Sequence, residues 1–365
     1  MQIKSKILFI MHMPPPMHGA AQVGQYIHDS RLMSESFDCR FFNPSASTNV
    51  SQVGHLSLKK VRFLFSSISE IMKIVDEWKP DLIYTTPSSD GWGFYRDFLT
   101  VLILKKKKCK IVAHFHNRPY ESFAKKWYNK KIYAHFFKNL KTIFLSERLI
   151  PVFKDYLDPN NIFICPNGIP AQRKNVKKNS NAVYTFFFLS NMMAEKGVYI
   201  LLRACKILKE SGYRFKCDLV GKWADIQEND FEKEKKSLGL DSYIFAHGAK
   251  YGQEKDPYFE NSDCFVFPTY YHGECFPLVL LEAMSNTLPV ITTNIAGIPD
   301  IVENGRNGFC VKPQDPIGLA ESMAWMIEHP EESVLMGSNG RERYETEFTI
   351  EKFEKRLCDI LKVCL

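Results

Sequence analysis

Two successive series of short, β-rich apolar runs, each alternating with helical segments, predict an α/β protein with two doubly wound parallel sheets of the Rossmann-like kind. The length agrees, because 365 residues with 45% apolar content exceed what one compact core organises and divide into two domains of ordinary size. A polar stretch rich in Pro, Gly and Asn, PNGIPAQRKNVKKNSNA (166–182), separates the two series and reads as the interdomain linker.

In the first series, strands are expected at KILFIMH (6–12), DLIYTT (81–86), KIVAHFH (110–116), TIFLS (142–146) and NIFIC (161–165). The second repeats the pattern at YTFFFLS (184–190), FKCDLVG (215–221), YIFAHG (243–248), CFVFP (264–268), PVITT (289–293) and GFCVK (308–312). Helices fall between them, and a terminal amphipathic segment covers about 350–365. The expected domains are 1–166 and 167–345, with 346–365 a helix returning to the N-terminal domain. Ligands of such sheets bind beyond the carboxyl ends of the strands, so two facing domains imply a cleft between those ends.

Bulk properties exclude several classes. No run approaches twenty uncharged apolar residues, and KILFIMH followed by PPPMHG reads as a buried strand and its loop, not as a membrane span or signal peptide. Ten cysteines, at 39, 109, 165, 205, 217, 264, 275, 310, 358 and 364, show no C-x-x-C pair, which suggests reduced, packed thiols in a cytoplasm. Net charge is +7 but uneven: residues 1–168 hold 24 Lys+Arg against 13 Asp+Glu, and 169–365 hold 24 against 28. The basic residues gather at Lys59, Lys60 and Arg62, at KKKK (105–108), and at Lys125, Lys126, Lys130 and Lys131 among aromatics. Such a surface is either a solvated helix face or a seat for anionic lipid or an anionic substrate. Nucleic acid is not expected, because the second half is acidic and carries no nucleic-acid motif.

Four loops carry chemistry. The first strand runs into PPPMHGAAQVGQ (14–25), where Gly19, Ala20 and Ala21 let helix-start amides approach a phosphate, although no full G-x-G-x-x-G is present and a tight turn without ligand has the same sequence. KIVAHFH delivers His114 and His116 to a strand end, followed by Asn117 and Arg118; no third ligand stands nearby in sequence, so no metal is expected. LSNMMAEKG (189–197) opens a helix with Lys196, which meets a diphosphate as a mobile point charge or is an ordinary first turn. In HGECFPLVLLEAM (272–284), Pro277 suits the first position of a helix over 276–285, with Glu274 in the loop before it and Glu282 almost two turns in. Free amides near Phe276 and Leu278 then hold a phosphate, while one carboxylate accepts from a sugar and the other from a ribose. The spacing fits a nucleotide sugar. The plainer alternative has Glu282 on the polar edge of a core helix and Glu274 in a simple turn.

With these residues in view, the chain resembles the family-four glycosyltransferases of the GT-B fold. HGECFPLVLLEAM followed by LPVITTNIAGIPDIVENGRNGFCVKPQD (288–315) is similar to their E-x7-E segment and the glycine turns after it. Weaker similarity runs through PNGI (166–169), LSNMMAEKG, DLVGK (218–222) and FAHG (245–248), and back to the HGAA loop and HFHN strand, so that it covers nearly the whole chain. The resemblance implies retaining transfer of a hexose-type sugar from a nucleotide diphosphate donor, without cofactor or bound metal, and no D-x-D triplet occurs here. A UDP-sugar is favoured over a GDP-sugar. The N-terminal domain would bind the acceptor and the C-terminal domain the donor.

By position, the resemblance implies that Glu282 accepts from the ribose and that Glu274 lies by the donor sugar, where the new bond forms. Lys196 would neutralise the diphosphate, with Asn191, Cys275, Phe276, Pro277 and Leu278 also lining the donor. Gly19 and Ala20 would close the phosphate side, and His116 would contact the sugar near its primary hydroxyl, with His114 as fallback. The implied catalytic set is His116, Lys196 and Glu274. One departure stands out: where the family commonly has an arginine five residues before the lysine, this chain has Asn191, so a second fixed cation is missing and Lys222 or Lys250 would have to substitute. Acceptor contacts are expected from loops 44–58 and 86–95, with Trp92, Tyr95 and His114 as candidates. The expected acceptor is a lipid-linked or polysaccharide chain in bacterial surface-glycan synthesis, met in the cytoplasm at the inner membrane face, with peripheral contact to anionic lipid. A sugar-nucleotide epimerase and a non-catalytic nucleotide-sugar-binding subunit are the alternatives.

Overall fold

A computed structural model of the chain describes residues 4–15, 18–44, 58–171 and 183–365, with 58–61 as backbone alone. Residues 45–57 of the expected acceptor loop 44–58, residues 172–182 of the expected linker 166–182 and the side chains of Lys59 and Lys60 lie outside the described residues. Two compact units emerge, Met1–Gly168 with Ile350–Leu365, and Ile169–Thr349.

Unit 1 is a six-stranded sheet in the order β2-β1-β3-β4-β5-β6, parallel throughout. Its strands are β1 (Lys6–Ile10), β2 (Asp38–Phe42), β3 (Leu82–Thr85), β4 (Ile111–Phe115), β5 (Lys141–Phe144) and β6 (Ile162–Ile164). β3 and β4 are buried along their whole length, as strands covered by helices on both faces must be, and that is why they read as unbroken apolar runs. β2 escaped the sequence reading. Its DCRFF alternates exposed and covered residues at the sheet edge, so it lacks the apolar run that marks its neighbours.

The last helix, Ile350–Cys364, belongs to this unit. Phe353, Leu357 and Leu361 recur every fourth residue and are fully buried, and the helix contacts helix Arg31–Ser36. Covering three such side chains contributes roughly 5–9 kcal/mol at about 1.5–3 kcal/mol each. Lys141 adds a hydrogen bond from its Nζ to the Val363 carbonyl, 2.9 Å.

Unit 2 repeats the plan as β12-β11-β10-β7-β8-β9, again parallel. Its strands are β7 (Tyr184–Leu189), β8 (Phe215–Val220), β9 (Ile244–Ala246), β10 (Cys264–Phe267), β11 (Val290–Thr293) and β12 (Gly308–Val311). Three consecutive phenylalanines, Phe186, Phe187 and Phe188, have no exposed surface, which places β7 at the centre of the core. The chain winds outward from β7 to β9, then restarts on the opposite side with β10. The strand order therefore reverses between β7 and β10, the place where such sheets open a crevice at their carboxyl edge. In unit 1 the corresponding reversal lies between β1 and β3.

At the boundary, Ile169 donates its N–H to the Phe348 carbonyl at 3.0 Å, and its own carbonyl accepts from the Tyr344 hydroxyl at 2.9 Å. Both ends of unit 2 are thus tied side by side. Among the described residues, no helix is long and apolar enough to cross a membrane.

Candidate functional site

The reversal point of unit 2 brings Lys196 and Glu274 together across 78 residues of sequence. Lys196 ends a one-turn 3-10 helix, Ala194–Lys196, just after β7, and Glu274 lies in the loop that leaves β10. Gly197 holds this turn with φ +89, and a Cβ there would stand 2.2 Å from the Pro268 carbonyl oxygen. Only glycine combines that left-handed backbone with so close an approach. The two loops are bonded directly as well, since Tyr270 donates its N–H to the Glu195 carbonyl at 2.8 Å.

Lys196 Nζ lies 2.6 Å from Glu274 Oε2, with the two side chains only 15% and 11% exposed. The ammonium also sits 4.3 Å above the Tyr271 ring and 5.6 Å from that of Phe267. A largely desolvated pair of this kind is stabilised by each partner holding the other's charge. An incoming anion competes for the lysine, and an incoming hydroxyl competes for the carboxylate.

Beyond it, helix Leu278–Ser285 starts with no side chain capping its amides. Pro277 stands at the N-cap, ψ 124, and not at the first helical position as the sequence suggested: its extended ψ keeps it outside the helix, which is correspondingly shorter. The uncapped N–H groups and the helix dipole remain suited to an anion. Cys275 and Phe276 are buried. Within the helix, Glu282 is paired with Lys255 at 2.7 Å, a partner the sequence reading missed. Asn191 and Lys222 are exposed, and Lys250 is half-buried.

In unit 1 the edge near β1, β3 and β4 gathers histidines. His18 caps helix Gly19–Asp29, its Nδ1 accepting from the Ala21 N–H at 3.2 Å. Gly19 is exposed, and nothing lies within 4 Å of where a Cβ would sit, so its small size is not demanded by packing. Asn117 accepts from the Ser89 N–H at 3.0 Å and ties the exit of β4 to that of β3. His116 and His114 rings stand 4.2 Å apart, and the Nε2 of each is buried with no hydrogen-bond partner among the described residues.

Burial depresses all of these imidazoles. It holds His12 down at about 4, helped by the Arg96 guanidinium, and His116 at about 3, helped by His12 and His18. His18 is lowered by burial, and His114 well below the usual range by burial and then by His116. The rings are therefore neutral at physiological pH, offering one donor and one acceptor nitrogen each. Among the described residues, no three His, Cys, Asp or Glu side chains converge as metal ligands would.

Two acceptor candidates have partners within unit 1. His114 has no exposed surface and its Nδ1 is 2.8 Å from the Tyr84 hydroxyl, so it serves the core and is not available to an acceptor in this arrangement. Tyr95, partly exposed, donates its hydroxyl to Asn129 Oδ1 at 2.7 Å and packs 5.6 Å from the Phe123 ring. Trp92 is half-exposed. Sequence reasoning missed Arg96 and Asp97, a two-bond ion pair at 2.7 and 3.0 Å beside His12. No local pattern marks them; the topology alone brings them to the reversal point.

Comparison with known proteins accords with this geometry. The family model for glycosyl transferases group 1 matches residues 169–343, and that for Glycosyltransferase Family 4 matches 25–173. Between them they account for most of the chain. The chain belongs to glycosyltransferase family 4. The changeover between the matches, 169–173, coincides with the division of the family-four chain into units at Gly168 and Ile169.

The family-four chain is 31% identical over 192 residues to the capsular polysaccharide biosynthesis glycosyltransferase CapM of Staphylococcus aureus, covering 50% of this chain and 49% of that protein. It spans about half the length of the curated relatives it matches first. A glycosyltransferase from Rickettsia africae ESF-5 superimposes with TM-score 0.76 at 18% identity, over 99% of this chain and 98% of that one. HepE from Anabaena, solved with UDP-glucose, superimposes with TM-score 0.71 at 17% identity, over 98% and 99%. At such identities the likeness concerns fold, and the fold is GT-B.

Proposed function

We propose that this chain moves a hexose-type sugar from a nucleoside diphosphate donor to a lipid-linked or polysaccharide acceptor in bacterial surface-glycan synthesis. The observation that carries the reading is the exchangeable Lys196–Glu274 pair at the reversal point of unit 2, next to an uncapped helix start. A diphosphate draws Lys196 away from Glu274 and rests on the helix amides, and the released carboxylate accepts from the donor sugar. Glu282 accepts from the ribose. Unit 2 is thereby assigned to the donor and unit 1 to the acceptor.

The chemistry is read as metal-independent and retaining, with the acceptor hydroxyl attacking on the face from which the nucleotide leaves. The bond from the sugar's anomeric carbon to the β-phosphate oxygen breaks as that to the acceptor oxygen forms, and the acceptor's proton passes to the departing diphosphate. Lys196 and the helix amides stabilise the charge that develops on the leaving group, the main electrostatic lever available.

Three named relatives support the biosynthetic setting, CapM for capsule, WcaL of Escherichia coli for colanic acid and AmsK of Erwinia amylovora for amylovoran. The complex of HepE with UDP-glucose supports a uridine nucleotide over a guanosine one. The inner membrane face is assigned from the basic first half, where Trp127, 70% exposed, and exposed Tyr128 stand among Lys125, Lys126, Lys130 and Lys131.

A thermal-shift screen with UDP, GDP, ADP and CMP tests the donor reading, because a ligand of the folded state raises its melting temperature. UDP is expected to give the largest shift, and no shift with any nucleotide would overturn the reading. Incubation with UDP-glucose alone separates the competing chemistry: a new nucleotide sugar would mark an epimerase instead.

A further inference from the structure

Lys255 lies outside every motif that the sequence offers. It ends the 3-10 turn Gly252–Lys255, ahead of the short helix Asp256–Glu260 that leads into β10. From there it reaches the helix on the other side of β10 and places its Nζ 2.7 Å from Glu282 Oε2. The two side chains are only 21% and 16% exposed, so this is not one of the solvated surface pairs that contribute little. Glu282 Oε1, the second oxygen, accepts no hydrogen bond from the described residues and is not sealed from solvent.

A glutamate side chain ends in a broad, weakly restrained torsion. With one oxygen pinned, the carboxylate plane is fixed and the other oxygen points in one direction. Without the lysine, a largely desolvated carboxylate with no counter-charge would turn toward water. Charge matters too. Glu282 is four residues after Leu278, about 6 Å along the helix axis from its start at 1.5 Å per residue. A bare carboxylate that close to a bound diphosphate is repulsive, and Lys255 cancels it.

We propose that Lys255 is the positioning residue for nucleoside recognition, holding Glu282 by Oε2 so that Oε1 accepts from the ribose hydroxyls. The proposal rests on the reading that Glu282 meets the ribose. Selection of ribose over 2′-deoxyribose then depends on a lysine that never touches the nucleotide.

Calorimetric titration of the purified full chain with UDP, GDP and ADP, each beside its 2′-deoxy form, tests this. The wild type should bind the 2′-deoxy form of its preferred nucleotide roughly ten- to a hundredfold more weakly, the range for losing a hydrogen bond to a charged group. Lys255→Met should shrink that penalty to within about threefold, because the ribonucleotide loses its hydrogen bond on top of the repulsion that both forms then meet, whereas Lys255→Arg should keep it. A general structural defect would weaken both forms alike. If Lys255→Met retains the full penalty while Glu282→Gln loses it, the lysine has no such role. If Glu282→Gln also retains it, or the wild type binds none of the three nucleotides, the reading of Glu282 at the ribose falls and the proposal with it.

Discussion

Lys196 does two jobs in one position. It neutralises Glu274 at 2.6 Å, and in the proposed reaction it transfers that charge to the diphosphate. Lys196→Ala should therefore lower kcat by a factor of roughly 100 or more, as is typical for losing one preorganised donor to developing charge; initial rates with saturating donor measure it, and unimpaired turnover would remove the role. The histidines of unit 1 make a different prediction. His12 and His116 titrate at about 4 and about 3 when folded, against about 6.5 unfolded. Between those limits the unfolded chain binds protons that the folded chain does not, so stability rises with pH across the window and levels off above about 7. The melting temperature should fall as pH drops from 7 to 5, and His12→Gln or His116→Asn should each make that slope shallower. Identical slopes in the variants and the wild type would contradict the buried, neutral state.

The loop between β7 and its following helix shows what a glycine does for an element. At Gly197 the positive φ and the Pro268 carbonyl both exclude a side chain, so Gly197→Ala should destabilise by about 1–3 kcal/mol and shift Lys196 off Glu274. Gly19 opens a helix too, but its Cβ direction is empty, and Gly19→Ala should leave stability within about 0.5 kcal/mol. Denaturant titration of both variants separates the cases, since equal destabilisation would mean that Gly19 is a packing glycine after all. The same contrast explains Pro277. A proline fits the N-cap as readily as the first helical turn, and only the backbone angle decides between them.

For the whole molecule, the uneven charge becomes a surface with a shape. Lys131 stands 5.2 Å over the Trp127 ring and Lys126 5.9 Å over that of Tyr128, so the basic and aromatic residues of 125–131 form one patch. Aromatic rings with an apolar body and a polar edge suit a membrane interface, and lysines around them suit anionic lipid. Flotation with vesicles containing phosphatidylserine should carry the wild type upward, and replacing Trp127 and Tyr128 by Ser should reduce the floated fraction severalfold. Equal partitioning with neutral vesicles would disconnect the charge from lipid.

Fold class was legible because strands buried on both faces must be apolar throughout, and Phe186, Phe187 and Phe188 or the KIVAHFH run admit no other reading once helices flank them. The edge strand β2 was not legible, because half of its residues face water and its pattern is no different from a loop's. The candidates Glu274, Glu282 and Lys196 could be named from sequence, since two stand in loops that leave strands and Glu282 lies within the helix that follows one of them. The partners could not. That Lys196 faces Glu274, that Lys255 faces Glu282, and that His114 turns into the core to meet Tyr84 all depend on which strands become neighbours. Hydrophobic periodicity is a local property and the chain carries it in order, whereas the meeting of two loops 78 residues apart is set by the strand order of a sheet, which only the folded arrangement decides.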